Sequence, residues 1–330
     1  MNIVKSLAFT SLLCISSLSN AQNNYINAFY YDISDEFINT LSHEVNTQAK
    51  DKGYSIKDYN ATSSLSLQSE QIDSAFANSN KNFLINLVDP SYATNVIDSV
   101  KDDTTKLLFI NRMPKKDVLS SYKNAYFIGA KAQSSGAIQA DIVHDYIKEH
   151  GSLDKNQDGV LNIVLLKGEI NHEDTKCRSK AFLEGLDSFN IKYKVIFEDY
   201  ANWTFNLGYE AFNRAVDKNG LDNIELVVAN NDAMALGALA WLNENDYNNL
   251  NNGKFIAVVG IDAIKDAIDA INSGKMIGSV CNDAKTMAKI AIDLFSMPNI
   301  DLTKLSKDYN ITIDGKVIEV PYKKVVKQDK

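Results

Sequence analysis

Beyond its first residues this sequence never approaches the ~20 consecutive apolar residues that a membrane-spanning helix needs, so no later segment reads as a transmembrane span. It has no basic block either: the formal net charge is −8, with acidic and basic residues interspersed. A nucleic-acid partner would require a concentrated positive face, and that class is set aside. Proline is scarce, 4 in 330 residues, and no Pro-rich or low-complexity tract marks a linker. No GxGxxG follows a strand pattern and no Walker-type glycine loop occurs, which leaves dinucleotide and nucleotide binding without support.

What is present is a chain that is 45% hydrophobic and long enough for two lobes of ordinary domain size. Its start reads as a secretory signal. Lys5 precedes an apolar run without acidic residues, and Ser19-Asn20-Ala21 offers small residues for cleavage after Ala21. Losing Lys5 takes the mature charge to −9. Cys14 lies inside this signal, and the large Leu13 before it argues against lipid attachment there. The mature chain keeps Cys177 and Cys281. An oxidising compartment permits a bridge between them, but two buried free thiols are the preferred reading.

After the signal, short β-rich apolar runs alternate with longer amphipathic stretches. Strand patterns cover residues 25–31, 83–87, 107–110, 125–128, 163–166, 193–197, 224–229, 255–260 and 277–280. Helical patterns cover 36–52, 134–149, 174–189, 233–243 and 284–295, among others. Several strands are apolar throughout, as parallel strands covered on both faces must be. The alternation predicts a doubly wound α/β architecture, and nine strands fit two parallel sheets better than one.

Ligands of open α/β sheets bind beyond the carboxyl ends of the strands. Those positions hold Asp35, Phe37, Asn111, His172, Asp174, Arg178, Asn231, Asp262 and Asn282, with Trp203 in a neighbouring loop. Asp and Asn at strand ends are often helix N-caps, but caps do not account for an Arg, a His and two aromatic rings at the same ends. The mixture suits a sugar. Planar carboxylates, carboxamides and a guanidinium bond adjacent hydroxyls in pairs, while Phe37 and Trp203 could cover the two apolar faces of a pyranose. A second signal is the loop over residues 154–162. Asp154, Asn156, Asp158 and Asn162 supply side-chain oxygens, Val160 a backbone carbonyl and Gly159 the sharp turn, as in the first nine positions of an EF-hand loop. The bidentate Glu of position twelve is absent, since Leu165 stands there. An Asx-rich turn without metal is the alternative.

The strings NLVDP (86–90), LLKGE (165–169), HEDTKCR (172–178), VVANNDAMALGA (227–238), GIDA (260–263) and NDA (282–284) resemble those of the periplasmic galactose- and glucose-binding proteins. These are type 1 periplasmic binding proteins, the receptors of ABC-type sugar importers. The likeness runs from about residue 25 to 324. It implies that the ten residues above contact an aldohexose, D-galactose or D-glucose, with Phe37 and Trp203 stacked on the ring and Asp35 accepting from either epimeric 4-hydroxyl. It also implies a structural Ca²⁺ held by Asp154, Asn156, Asp158, the Val160 carbonyl, Asn162 and a remote carboxylate, Glu225.

By the same resemblance two like-folded lobes are joined by crossovers near residues 128–132, 276–283 and 312–316. Residues 22–130 with 280–313 then form the N-terminal lobe, and 131–279 with 314–330 the C-terminal lobe. The partners implied are the sugar and a membrane permease, the compartment is the periplasm, and a monomer is expected. Thr94 replaces a surface glycine that the family uses toward a chemoreceptor, which argues against that partner. The expected action is hinge closure on the sugar without catalysis, with Arg178 paired to Asp174 or Asp262. Three other readings remain: a receptor for ribose or xylose, a glycosidase using Asp35 and Asp174, and a sugar-sensing transcription regulator. The signal and the lack of an N-terminal helix-turn-helix oppose the last.

Overall fold

The computed structural model describes residues 25–327 apart from 79–80, 102 and 250–252; the signal segment and Cys14 lie outside the described residues. The first part of the chain alternates β1 (Tyr25–Tyr30), α1 (Glu36–Asp51), β2 (Ser55–Asn60), α2 (Leu65–Ala77), β3 (Asn82–Ile85), α3 (Ala93–Asp98), β4 (Lys106–Ile110), α4 (Lys116–Ser120) and β5 (Ala125–Gly129). Parallel pairing gives the order β5-β4-β3-β1-β2, and the late hairpin β11 (Thr312–Asp314) and β12 (Val317–Glu319) extends the sheet beyond β5. Both faces of the central strands are covered. Ile26, Ala28 and Tyr30 of β1 pack with α1 and with α10 (Ala284–Ser296), while Phe29 points into a second cluster with Phe83, Ile85 and Phe109. That two-sided burial is why these strands read as unbroken apolar runs.

The second lobe repeats the plan with α5 (Ala132–His150), β6 (Leu161–Lys167), α6 (Glu173–Ser188), β7 (Tyr193–Tyr200), α7 (Phe205–Asn219), β8 (Leu226–Ala229), α8 (Asp232–Glu244), β9 (Ala257–Val259), α9 (Lys265–Asn272) and β10 (Ser279–Cys281). Its sheet order is β7-β6-β8-β9, continued by single bridges from Val259 to Gly278 and Asp262 to Cys281, and β10 pairs antiparallel with β13 (Lys323–Val325). Each sheet therefore reverses its winding beside its first strand, between β1 and β3 and between β6 and β8. Crevices form at such switch points, outside the carboxyl ends.

The chain passes between the lobes three times. Two passages fall where the resemblance puts them, at the start of α5 and between β10 and α10. The third does not. Val317–Glu319 pairs in parallel with Phe127–Gly129, so β12 belongs to the first lobe and the passage lies between β12 and β13 rather than at residues 312–316. Equally, β10 pairs with β13 and so belongs to the second lobe, which moves residues 280–281 out of the first. The Asp314-Gly315 turn, with φ +61° at Gly315, folds β12 back beside β11 instead of sending the chain across. Cys177 and Cys281 are free, as expected, but each is half-buried rather than enclosed.

Candidate functional site

All ten strand-end residues line one pocket of about 330 Å³ between the lobes, part of it open to solvent, and Tyr31, Ile38 and Arg112 complete its wall. Phe37 is 6% and Trp203 8% exposed, and they reach the pocket from different lobes.

Three of the polar residues are indeed helix caps. Asp35 caps α1 by accepting from Ile38 N (3.0 Å), and its other oxygen accepts from the Tyr31 hydroxyl (2.6 Å). Asn231 caps α8, with Oδ1 accepting from Met234 N (3.0 Å) while Nδ2 donates to the Trp203 carbonyl (2.9 Å). His172 caps α6 through Nδ1, which accepts from Asp174 N (3.1 Å). An accepting Nδ1 fixes the neutral tautomer with the proton on Nε2. Burial agrees, since it pushes the imidazole pKa down against the pull of Asp174. Capping and lining the pocket are thus the same placement, because a helix start after a strand end is where the crevice lies.

Arg178 is 4% exposed. It donates to the Asn230 carbonyl (2.7 Å), the Tyr322 hydroxyl (3.1 Å) and Asp174 Oδ2 (3.3 Å), so the expected pairing with Asp174 is present. Burial opposes its charge, but Tyr322, Asp174 and Asp262 outweigh that and hold its pKa above the ordinary value. Asp262 accepts from Asn282 Nδ2 (3.2 Å). Burial pushes its carboxyl up to about 7, with Arg178 pulling it back and Asp35 pushing it further. Asp35 is raised by burial too. Asn111 is held from below, its Oδ1 accepting from Asn86 Nδ2 (3.3 Å). Three buried polar atoms of the pocket residues have no protein partner: Arg178 Nε, Trp203 Nε1 and Asn282 Oδ1. Buried groups of this kind are ordinarily satisfied, and a ligand rich in hydroxyls would satisfy them.

Three pocket residues, Asn111 (φ +65°), Trp203 (φ +67°) and Asp262 (φ +114°), hold backbone conformations that side chains other than glycine rarely adopt. The indole of Trp203 lies close against the backbone at Gly168, where an added Cβ would fall 2.1 Å from the ring. It also meets His172 edge-on at 5.3 Å.

At the acidic loop, Glu225 is 1% exposed and bonds to the loop backbone. Its two oxygens accept from Lys155 N (2.6 Å) and Asn162 N (2.8 Å). Asp154 Oδ2 accepts from Gly159 N (2.7 Å), while Oδ1 is buried without a partner. The donors are all oxygen, which suits a hard cation. Among the described residues no three His, Cys, Asp or Glu side chains converge closely enough to make a ready metal cluster. The donor chemistry fits Ca²⁺, and the carboxylates as they stand are held by backbone N–H groups.

A periplasmic binding protein domain model matches residues 27–297. The chain belongs to the periplasmic binding protein family. It is 30% identical over 322 residues, 97% of this chain and 95% of the other, to the D-galactose/methyl-galactoside binding periplasmic protein MglB of Haemophilus influenzae. A xylitol-binding protein of Mycolicibacterium smegmatis is 28% identical over 280 residues, covering 83% of this chain and 71% of its own. Among solved structures, a periplasmic solute-binding protein of an ABC transporter from Actinobacillus succinogenes 130z, with D-allose bound, superposes with a TM-score of 0.75 at 18% identity. That match covers 92% of this chain and 97% of the other. The structural likeness supports the fold of this family member, two α/β lobes around a cleft. No helix among its described residues is long and apolar enough to cross a membrane.

Residue types at strand ends found ten of the thirteen lining residues. Ile38, Tyr31 and Arg112 were missed, although Tyr31 directly follows β1 and Arg112 directly follows Asn111.

Proposed function

We propose that this chain is the exported receptor of an ABC-type sugar importer, capturing one aldohexose, D-galactose or D-glucose, by closing its lobes. The observation that carries the reading is the pocket itself. Phe37 and Trp203 approach from different lobes, and a ring of planar polar groups includes three buried atoms still lacking partners. Asp35, Phe37 and Asn111 belong to the first lobe, and His172, Asp174, Arg178, Trp203, Asn231 and Asp262 to the second. A sugar touching both is bound better by the closed state, so binding shifts the population toward closure. The permease then distinguishes loaded from empty receptor by shape. We read the residues as acting by binding: Asp174 is tied to Arg178, which leaves Asp35 without the second free carboxylate of a glycosidase pair. The likeness to MglB over nearly the whole chain supports the hexose assignment.

Asp154, Asn156, Asp158, the Val160 carbonyl, Asn162 and Glu225 would hold Ca²⁺. The ion would pin the loop before β6 to the start of β8 and offset the charge of the buried Glu225. The decisive experiment is calorimetry and Trp fluorescence with D-galactose, D-glucose, ribose and xylose. Tight binding of one or both hexoses supports the proposal. A preference for a pentose, or no binding of any of the four, overturns it.

A further inference from the structure

One ion pair in the cleft takes no part in the sugar contacts proposed above. Arg112, on the first lobe, is 4% exposed. Its Nη2 donates to Glu169 Oε1 on the second lobe (2.7 Å), and Nη1 lies 3.5 Å from Oε2. Nη1 also donates to the Val88 carbonyl (2.9 Å), and the guanidinium carbon sits 3.6 Å over the ring of Tyr31. Val88 and Tyr31 both belong to the first lobe. They hold the guanidinium in place whether or not Glu169 is there, so its free edge is presented across the cleft in advance.

Glu169 follows β6 and is shared by the walls of two open grooves flanking the pocket. One groove runs along Val88, Pro90, Lys131 and Cys177, the other along Ser34, Ile170 and Phe205. The pair therefore stands where those grooves meet, at the mouth. Among the described residues Asp283–Lys323 also joins segments of the two lobes, but at the crossovers, where little separation follows when the lobes turn. The Arg112–Glu169 contact must break on opening.

We propose that Arg112 and Glu169 form a latch over the loaded pocket, made only on closure, which sets how long the sugar stays without selecting which sugar it is. The proposal rests on the receptor reading and deepens it. Tyr31 lies between latch and site: its ring carries the Arg112 guanidinium and its hydroxyl donates to Asp35 (2.6 Å). Closure at Glu169 is thereby felt at a proposed sugar ligand. An interaction that forms after encounter acts on the off-rate more than on the on-rate.

The test is Glu169→Gln in the full mature chain, followed by stopped-flow Trp fluorescence with D-galactose and D-glucose. Glu169 is partly exposed, so the loss is expected to lie between the surface and buried limits, about fivefold to tenfold in Kd. The factor should be the same for both sugars and carried by the off-rate, with the on-rate within about twofold. Molar salt should speed release from the wild-type protein and leave the variant's release unchanged. An unaltered off-rate in Glu169→Gln with tight wild-type binding overturns the latch alone. Unequal factors for the two sugars overturn it as well, because Glu169 would then be a specificity contact. Absence of hexose binding by the wild-type protein removes the receptor reading and the latch with it.

Discussion

Replacing Asp35 by Asn separates what this residue does for the fold from what it does for the ligand. The carboxylate has two oxygens and about four acceptor sites. Ile38 N takes one at 3.0 Å and the Tyr31 hydroxyl another at 2.6 Å, which leaves acceptor capacity facing the pocket. An Asn keeps a cap oxygen for Ile38 N but loses the charge and half the acceptors. A hydrogen bond to a charged group contributes about 1.5–3 kcal/mol, so affinity for D-galactose or D-glucose should fall about tenfold to 150-fold. Stability should move the other way. Burial raises the Asp35 pKa, so the folded state favours the protonated form and carries the ionised one at a cost. Its contribution grows as pH falls through the folded value toward 3.8 and is lost above it. At pH 7.5 the Asn variant should therefore melt at the wild-type temperature or above. Calorimetric titration and thermal unfolding measure both arms. Affinity within twofold of wild type would refute the assignment of Asp35 to the ligand, and a marked drop in melting temperature would refute the burial argument.

Gly168→Ala should push the Trp203 indole off its seat, since the new Cβ would fall 2.1 Å from the ring; a loss of about tenfold or more in hexose affinity is expected, with altered Trp fluorescence before sugar is added. Asp262, raised to about 7 by burial, binds its proton in the folded state across the window from 3.8 to about 7 while the unfolded chain does not. Stability of the sugar-free protein should thus rise as pH is lowered from 8 toward 5, by at most about 1.4 kcal/mol per unit from this group, and urea titrations of Asp262→Asn should show a flatter profile. If Ca²⁺ occupies the acidic loop, metal at a hundred times its Kd adds about 2.7 kcal/mol; the melting point should then fall several degrees on chelation, an effect absent in Glu225→Gln.

Legibility in the sequence followed burial. β1, β4 and β8 are covered on both faces, and their apolar runs announced them. β2 was passed over because it is the sheet's edge, and Ser55–Asn60 carries the polar residues that edges need. The β11–β12 hairpin escaped for a different reason. Its Asp-Gly turn is a local signal, but only the pairing of Val317 with Phe127, 190 positions earlier, decides which lobe owns it. Without that pairing the third crossover was set at residues 312–316, ahead of its true place between β12 and β13. At the site, planar polar residues were found because their chemistry is unusual at a strand end. Arg112 was missed because its role is fixed by Glu169, a residue of the other lobe.

The coincidence of caps and pocket residues has an energetic consequence. Asp35, His172 and Asn231 have their rotamers fixed by backbone N–H groups before any sugar arrives. The side-chain entropy that a ligand would otherwise have to remove is already gone, and immobilisation costs about 0.5–1.5 kcal/mol per side chain when left to binding. The doubly wound fold supplies this preorganisation without extra machinery, because each helix start needs an acceptor and each crevice needs rigid polar groups at the same place. Substitution by Ala therefore mixes two losses at these positions, about 1 kcal/mol of capping and the ligand contact. Only isosteric exchanges, such as Asp to Asn, divide them. The left-handed backbone at Asn111, Trp203 and Asp262 belongs to the same logic, with strain at the strand ends offset by the packed sheets behind them.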